Sequence, residues 1–123
     1  MENVHLSLGK LEVYQLSLVI SRNAWKIYKL FNWLDKKIIG DQFITSIDSV
    51  GANIAEGYGR FHYLDRIKFY YNARGSLLEA KHWLFLLMDR GKISKTIFDN
   101  FIIDLNTLHF KLNLFIKNIK KNK

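Results

Sequence analysis

The sequence predicts an all-α protein, a single domain over residues 1–123 in which four helices run up-down-up-down as a bundle. The 123-residue chain contains no proline, so the commonest helix breaker is missing. Its apolar residues recur three and four positions apart, which is the spacing of helices with one buried face. The breaks between these segments are short, and short connections favour antiparallel neighbours.

The first predicted helix covers residues 10–34. A second apolar line, which includes Tyr14, Leu18 and Trp25, widens its face beyond what one bundle needs. We therefore expect this helix to pack both within its own bundle and against another subunit. The main stripe consists of Val13, Leu16, Ile20, Ala24, Ile27, Phe31 and Leu34.

The second predicted helix covers residues 41–57, with Asp41 as its N-cap. Gly57 and Gly59 are expected to supply left-handed backbone where the chain reverses. The small residues Gly51, Ala52 and Ala55 predict a neighbouring helix at very close range. The inner face consists of Phe43, Ile47, Val50 and Ile54.

The third and fourth predicted helices cover residues 63–89 and 94–120. Gly91 is the expected stop of the third helix. Ser94 starts the fourth, and Ile93 and Phe98 occupy the two positions of a hydrophobic staple. The inner residues are Tyr70, Ala73, Leu77, Ala80, Leu84 and Leu87 in the third helix, and Ile97, Phe101, Leu105, Leu108, Leu112, Phe115 and Ile119 in the fourth.

The net charge of +8 is unevenly distributed. Residues 21–37 contain five bases and one acid, and residues 111–123 contain five lysines and no acid. Such segments favour polyanions, because each neutralised phosphate releases counterions. The alternative is a solvated surface whose lysines serve solubility and complement helix dipoles. The candidate nucleic-acid-binding residues are Arg22, Lys26, Lys29, Lys36, Lys37, Arg60, Arg66, Lys68, Lys117, Lys120 and Lys121.

Motifs for catalysis are weak. The absence of cysteine excludes disulfides, thiolate zinc sites and cysteine nucleophiles. Glu79 and His82 have the Glu-x-x-His spacing of di-iron bundles, but such sites need this unit twice, and the chain has only four glutamates. No Gly-x-Ser-x-Gly elbow and no phosphate-binding glycine loop is present. We therefore expect no enzyme, no metal and no cofactor.

The location is expected to be cytoplasmic. Glu2 precedes any base, and Lys10 and Glu12 interrupt the first apolar stretch, which is the wrong order for a secretory signal. No uncharged apolar run approaches the roughly 18 residues of a membrane span, so no membrane partner is expected.

Two stretches combine small residues with single charges. Glu56 follows Asn53 and precedes Gly57, and Arg74 precedes Gly75 and Ser76. We expect Glu56 and Arg74 to pair across a helix interface, with Asn53 or Ser76 completing the hydrogen bonds. Breaking a buried pair of this kind costs about 3–5 kcal/mol, so Arg74→Ala should be strongly destabilising.

The block Asn53-Ile54-Ala55-Glu56-Gly57-Tyr58-Gly59-Arg60, followed by Ala73-Arg74-Gly75-Ser76-Leu77, resembles the proteins encoded within intervening sequences of bacterial 23S ribosomal RNA genes. The resemblance implies a four-helix bundle assembled as a homopentamer around a channel, with RNA or DNA binding and no known catalysis. Accessory proteins of diversity-generating retroelements look similar: they are basic pentamers that bind nucleic acid and a reverse transcriptase.

The sequence departs from the family pattern in the second helix. Ile44 and Thr45 stand where the family often has arginine, which removes a candidate phosphate contact. Gly51 stands where the family usually has proline, so a kink there is allowed but not enforced.

Two functions follow as hypotheses. The first is a non-enzymatic, homo-oligomeric nucleic-acid-binding bundle in which lysines and arginines contact phosphates and aromatic residues such as Tyr58 or Tyr63 stack on unpaired bases. The second is a structural module whose apolar faces build a ring and dock a protein partner such as a polymerase. Binding that weakens steeply with salt distinguishes the first from the second.

Overall fold

The computed structural model describes residues 4–122, so residues 1–3 and 123 of the predicted domain lie outside the described part. The helices are α1 (Val4–Lys10), α2 (Glu12–Tyr28), α3 (Trp33–Asp35), a π-helical turn (Lys36–Gly40), α4 (Asp41–Gly59), α5 (Tyr63–Asp89) and α6 (Lys95–Lys121). Residues 4–122 contain no β-strand. The prediction of an all-α protein is confirmed.

The four long helices form a closed bundle. Helix α2 packs against α4 and α6, and α5 packs against the same two helices. Helices α2 and α4 are linked by two hydrogen bonds, from Ser21 to Asp48 and from Tyr28 to Asp41. The later residue of α2 bonds the earlier residue of α4, so the two helices are antiparallel. Helices α5 and α6 are antiparallel for the same reason, because Tyr71 on α5 bonds Lys120 on α6 and the later Arg74 bonds the earlier Asn113.

The core lies where the apolar spacing of the second, third and fourth predicted helices places it. Their inner residues are buried, apart from Ile97, which is exposed, and Phe115 and Ile119, which are half-buried. Two aromatic contacts join helices across the core: the ring centroids of Phe43 and Phe101 are 5.9 Å apart, and those of Tyr70 and Phe115 are 4.9 Å apart. Both pairs meet edge to face, the arrangement that aromatic rings prefer.

The prediction of one helix over residues 10–34 is wrong. Leu11 has extended backbone between α1 and α2, and α2 ends at Tyr28. A new helix begins after Asn32, whose side chain accepts a hydrogen bond from the Asp35 backbone N–H at 2.8 Å. Because this N-cap starts a separate helix, the apolar stripe of the sequence does not lie along one continuous helix.

Asp41 is not an N-cap. The backbone stays helical from Trp33 through the π-helical turn to Gly59, and the Asp41 carboxylate instead accepts a hydrogen bond from the Tyr28 hydroxyl at 2.6 Å. This bond raises the pKa of Tyr28. A Cβ atom on Gly40 would lie 3.0 Å from Phe31 Cδ2, so a larger residue there would require the Phe31 ring to shift by a few tenths of an ångström.

The expected left-handed backbone at Gly57 and Gly59 is not present. Within residues 4–122, Gly91 is the only residue with positive φ, at 69°. It ends α5 as predicted: the backbone N–H of Lys92 donates to Leu87 O at 2.8 Å and that of Gly91 to Met88 O at 3.0 Å. These are the two bonds of a Schellman motif.

The predicted start of the last helix is confirmed. Ser94 Oγ accepts a hydrogen bond from the Ile97 backbone N–H at 3.2 Å, and Ile93 and Phe98 on either side are both buried. The cap satisfies one of the free N–H groups that every helix start carries.

Candidate nucleic-acid interface

The predicted basic residues lie toward two opposite ends of the bundle. Arg22 and Lys26 project from α2, and Lys29 follows directly after its last residue; the three lead toward the end that holds the π-helical turn with Lys36 and Lys37. The other six, Arg60, Arg66, Lys68, Lys117, Lys120 and Lys121, lie where α5 begins and α6 ends. A 27-residue helix is about 40 Å long, so these residues do not form one continuous surface.

A groove between α5 and α6 at the second end is lined by three cationic side chains, Arg74, Lys117 and Lys120. We call it the Tyr71 groove; it is lined by Tyr71, Arg74, Asn113, Ile116, Lys117 and Lys120. Lys120 Nζ donates to the Tyr71 hydroxyl at 2.6 Å, and this bond raises the pKa of Lys120. The Arg74 guanidinium carbon lies 4.8 Å from the centre of the Tyr71 ring. Two cations from different helices thus converge on one phenol.

The predicted pair of Glu56 and Arg74 does not form. Arg74 faces α6 and donates to Asn113 Oδ1 at 3.1 Å, whereas Glu56 is exposed on α4 and pairs with Arg60 at 3.1 Å. Asn53 donates to the Ser49 backbone carbonyl at 2.9 Å and not to either charge. The Arg74 and Glu56 side chains both reach solvent, so neither charge requires the other as an ion-pair partner.

The small residues of the two motifs serve helix packing. A Cβ atom on Gly51 would lie 2.9 Å from Ser17 Oγ on α2, and one on Gly57 would lie 2.6 Å from Tyr70 Cε1 on α5. The prediction of a closely packed neighbour is therefore confirmed at Gly51, whereas Gly57, which was predicted to lie at a turn, packs against a different helix instead. Gly75 and Ser76 are not part of such a contact: Gly75 faces open space and Ser76 is half-buried.

Another polar contact lies farther along the same pair of helices. Lys81 Nζ lies 2.8 Å from His109 Nδ1 in partly buried surroundings. Burial lowers the pKa of Lys81, and burial together with the charges of Lys81 and Arg74 lowers the pKa of His109. The Lys81 ammonium therefore donates to a neutral imidazole.

Few of the predicted residues are neutralised by acids. Among residues 4–122, the ion pairs are Arg60–Glu56, Lys92–Asp35, Lys95–Asp99 and Lys111–Glu12. Arg60 is thus the only predicted residue with a described carboxylate partner, and its guanidinium carbon also lies 4.8 Å from the centre of the Phe69 ring. The positive charge of the Tyr71 groove is available to an external anion.

A second concave surface lies at the same end of the bundle. We call it the Phe61 pocket; it encloses about 450 Å³ and is lined by Phe61, Tyr63, Arg66, Phe115, Asn118, Ile119 and Asn122. Arg66 Nε is buried without a hydrogen-bond partner among the described residues, as is the hydroxyl of Tyr70 nearby. Burial raises the pKa of Tyr70, and the neighbouring Arg66 side chain opposes this rise only in part.

The model of the 23S rRNA-intervening sequence protein family matches residues 9–114 of the chain, which include both glycine motifs and Tyr71, Arg74 and Asn113 of the Tyr71 groove. The chain belongs to this family. Its fold is similar to the 1.70 Å crystal structure of a protein with unknown function from the S23 ribosomal protein family of Bacteroides thetaiotaomicron VPI-5482. The TM-score is 0.80 at 26% sequence identity, over 85% of this chain and 98% of the other. No protein of curated function matches the chain.

In this member of the 23S rRNA-intervening sequence protein family, the Glu79-x-x-His82 motif has an ordinary structural environment. Glu79 accepts a hydrogen bond from Trp83 Nε1 at 3.0 Å, and His82 lies against the Trp83 ring. Within residues 4–122, no three His, Asp or Glu side chains converge as metal ligands would. The described helices include none that is long and apolar enough to cross a membrane.

Sequence reasoning missed several polar residues that this family member brings together. Arg74 was interpreted as structural, and Asn113, Lys81 and His109 were not singled out. The available signal was helical spacing: Arg74 and Lys81 are seven residues apart on α5, and Asn113, Lys117 and Lys120 share one face of α6. Only the pairing of the two helices shows that these faces meet.

Proposed function

We propose that this protein is a non-enzymatic, cytoplasmic nucleic-acid-binding bundle that works as a homo-oligomer. The observation that carries the proposal is the Tyr71 groove, where Arg74, Lys117 and Lys120 have no described carboxylate partner. Arginine and lysine beside an amide and a phenol are the groups that contact phosphates. Several copies in one assembly would repeat the groove and raise the affinity by avidity.

The test is binding of purified protein to fluorescent single-stranded and duplex RNA and DNA across a salt series. The logarithm of the association constant should fall linearly with the logarithm of salt concentration. Replacing Arg74, Lys117 and Lys120 together by glutamine should reduce the slope for single strands by about 2, since each lost phosphate contact removes about 0.7.

The matched control replaces Arg22 and Lys26 on α2 and Lys29 after it by glutamine, which removes the same formal charge. Equal effects of the two triple variants would assign the binding to net charge and contradict a role for the groove. Absence of binding by the wild-type protein at low salt would contradict the proposed function altogether. Light scattering on the same samples reports the number of subunits.

A second function, docking of a protein partner, is favoured by a different observation. The α2–α3 connection and the start of α3 expose two large apolar side chains, with Leu30 85% and Trp33 73% exposed, and Ile38 in the π-helical turn is exposed as well. Exposed apolar patches of this kind mark interaction surfaces. If Leu30→Ser with Trp33→Ser reduces the mass measured by light scattering, the patch builds the oligomer. An unchanged mass would leave the patch to a different protein.

A further inference from the structure

Three polar contacts join α5 to α6 in a row along one seam. As the residue number rises on α5 it falls on α6, so the contacts follow one another in order. Their members are three and seven positions apart on α5, and four and seven apart on α6, which are the spacings of residues on one helix face. The contacts are Tyr71–Lys120 at 2.6 Å, Arg74–Asn113 at 3.1 Å and Lys81–His109 at 2.8 Å. The first two lie in the Tyr71 groove, so the third continues the line of that groove.

The seam is long and positively charged. From His109 to Lys120 the chain advances eleven positions along α6, which is a rise of about 16 Å. Successive phosphates of one strand are about 3.4 Å apart along the axis of a duplex, so the seam is long enough for several of them. Within residues 4–122, Arg74, Lys81 and Lys117 have no carboxylate partner, and neither has Lys120. The seam therefore offers a row of cations to an extended polyanion.

The Lys81–His109 contact brings two half-buried nitrogen groups together with no acid between them. His109 Nδ1 accepts from the Lys81 ammonium only while the imidazole is neutral, since a protonated ring has two donors and no acceptor. Once His109 is protonated, the ring and the ammonium repel each other unless an anion lies between them. A phosphate oxygen that accepts from both side chains is an anion of this kind.

We propose that Lys81 and His109 bind a phosphate, and that this site and the Tyr71 groove form one track for consecutive phosphates of a single nucleic-acid strand. The inference rests on the proposed function and extends its site by these two residues. A phosphate at this site favours the protonated imidazole, so the protein takes up a proton as the strand binds. Affinity therefore rises as the pH falls, until His109 is also protonated in the free protein.

The charged groups around His109 leave the stabilising anion to the ligand. Lys81 and Arg74 on α5 both oppose its protonation. Helix α2 also packs against α6, and its one acid, Glu12, is paired with Lys111 at 3.1 Å. No carboxylate in the described part of the chain pairs with His109.

The test measures the affinity for a fluorescent oligouridine strand across a salt series at about pH 8 and about pH 5.5, on either side of the ordinary histidine value of 6.5. The bases of this probe do not titrate in that range. Wild-type protein should bind more tightly at the lower pH, with a salt slope steeper by about 0.7, because the imidazolium adds one phosphate contact. His109→Gln should remove this pH difference. Lys81→Gln should reduce the slope by about 0.7 at both pH values.

Two matched controls lie outside the row of contacts. His82 lies against the Trp83 ring, and Arg90 follows the last residue of α5. His82→Gln should keep the pH difference of the wild-type protein. Arg90→Gln removes the same formal charge as Lys81→Gln and should change the salt slope less. Circular dichroism at both pH values confirms that each variant remains helical.

Three results would each overturn the inference: a wild-type affinity that does not change with pH, a His109→Gln variant that keeps the pH difference, or equal salt slopes for Lys81→Gln and Arg90→Gln. The proposed function survives all three if the triple glutamine variant of the Tyr71 groove still has a reduced slope. Wild-type protein that fails to bind the strand at both pH values would contradict the proposed function itself.

Discussion

Gly57 on α4 and Tyr70 on α5 are packed so closely that a methyl group on the glycine would lie 2.6 Å from Tyr70 Cε1 and 2.9 Å from Cδ1. The tyrosine ring is fully buried and also packs edge to face against Phe115, so moving it away from Gly57 would disturb the core. Gly57 therefore sets the distance between the two helices, which is a packing role and not the turn that its sequence context predicted.

Gly57→Ala should destabilise the protein by about 1–3 kcal/mol, because overpacking a rigid site forces backbone shifts. Gly75→Ala is the matched control. Its Cβ atom would meet nothing within 4 Å, so it should stabilise the protein by about 0.5–1 kcal/mol through helix propensity alone. Urea unfolding of both variants measures the difference, and similar stabilities would contradict the close contact.

Arg74→Ala should cost no more than about 1 kcal/mol. The guanidinium is partly exposed and bonds a neutral amide, so its removal strands no buried charge. A double-mutant cycle with Glu56→Ala should give a coupling free energy near zero, since Glu56 pairs with Arg60. A loss of several kcal/mol in the free energy of unfolding, or strong coupling, would instead support the buried Glu56–Arg74 pair that the sequence predicted.

His109 should make the folded state sensitive to mild acid. Its pKa is lowered in the folded protein, first by burial and then by Lys81 and Arg74, from the 6.5 of an ordinary histidine. As the pH falls below that value, the unfolded chain takes up a proton that the folded chain resists, so stability falls until the folded pKa is reached. Stability above pH 6.5 is unaffected by this group.

The measurement is the free energy of unfolding in urea on both sides of pH 6.5. His109→Gln should lose less stability on acidification than the wild-type protein, and Lys81→Gln should be intermediate because one of the causes is removed. A His109→Gln variant with the acid sensitivity of the wild type would show that other groups account for it.

Much of the fold follows from local chemistry. Helix α5 was predicted over its full length, because its buried residues repeat with nearly constant spacing and Gly91 provides the left-handed residue that a Schellman motif requires. Ser94 was recognisable as an N-cap for a similar reason. In each case, the deciding interactions lie within a few residues of one another.

The break at the end of α2 was not predicted, because Ile27, Phe31 and Leu34 continue the apolar spacing across it although the helix ends at Tyr28. The signal was present in Asn32 with Asp35 three residues later, a capping pattern that the stripe obscured.

Pairings between residues far apart in the sequence were harder to predict. Lys120 and Tyr71 are 49 positions apart, and Arg74 and Asn113 are 39 apart, so no local pattern links them.

The π-helical turn of Lys36–Gly40 has one further consequence for the surface at that end of the bundle. A π turn closes its hydrogen bond one residue later than an α turn, so it accommodates about one extra residue. Trp33 and Leu34 precede the turn and are exposed, whereas Phe43 beyond it lies in the core. A deletion of one residue within the turn would convert it to an α turn and leave the two segments facing as they do now, because the wider turn only absorbs the extra residue. The separation of Trp33 and Leu34 from Phe43 along the sequence therefore does not by itself give their relative orientation.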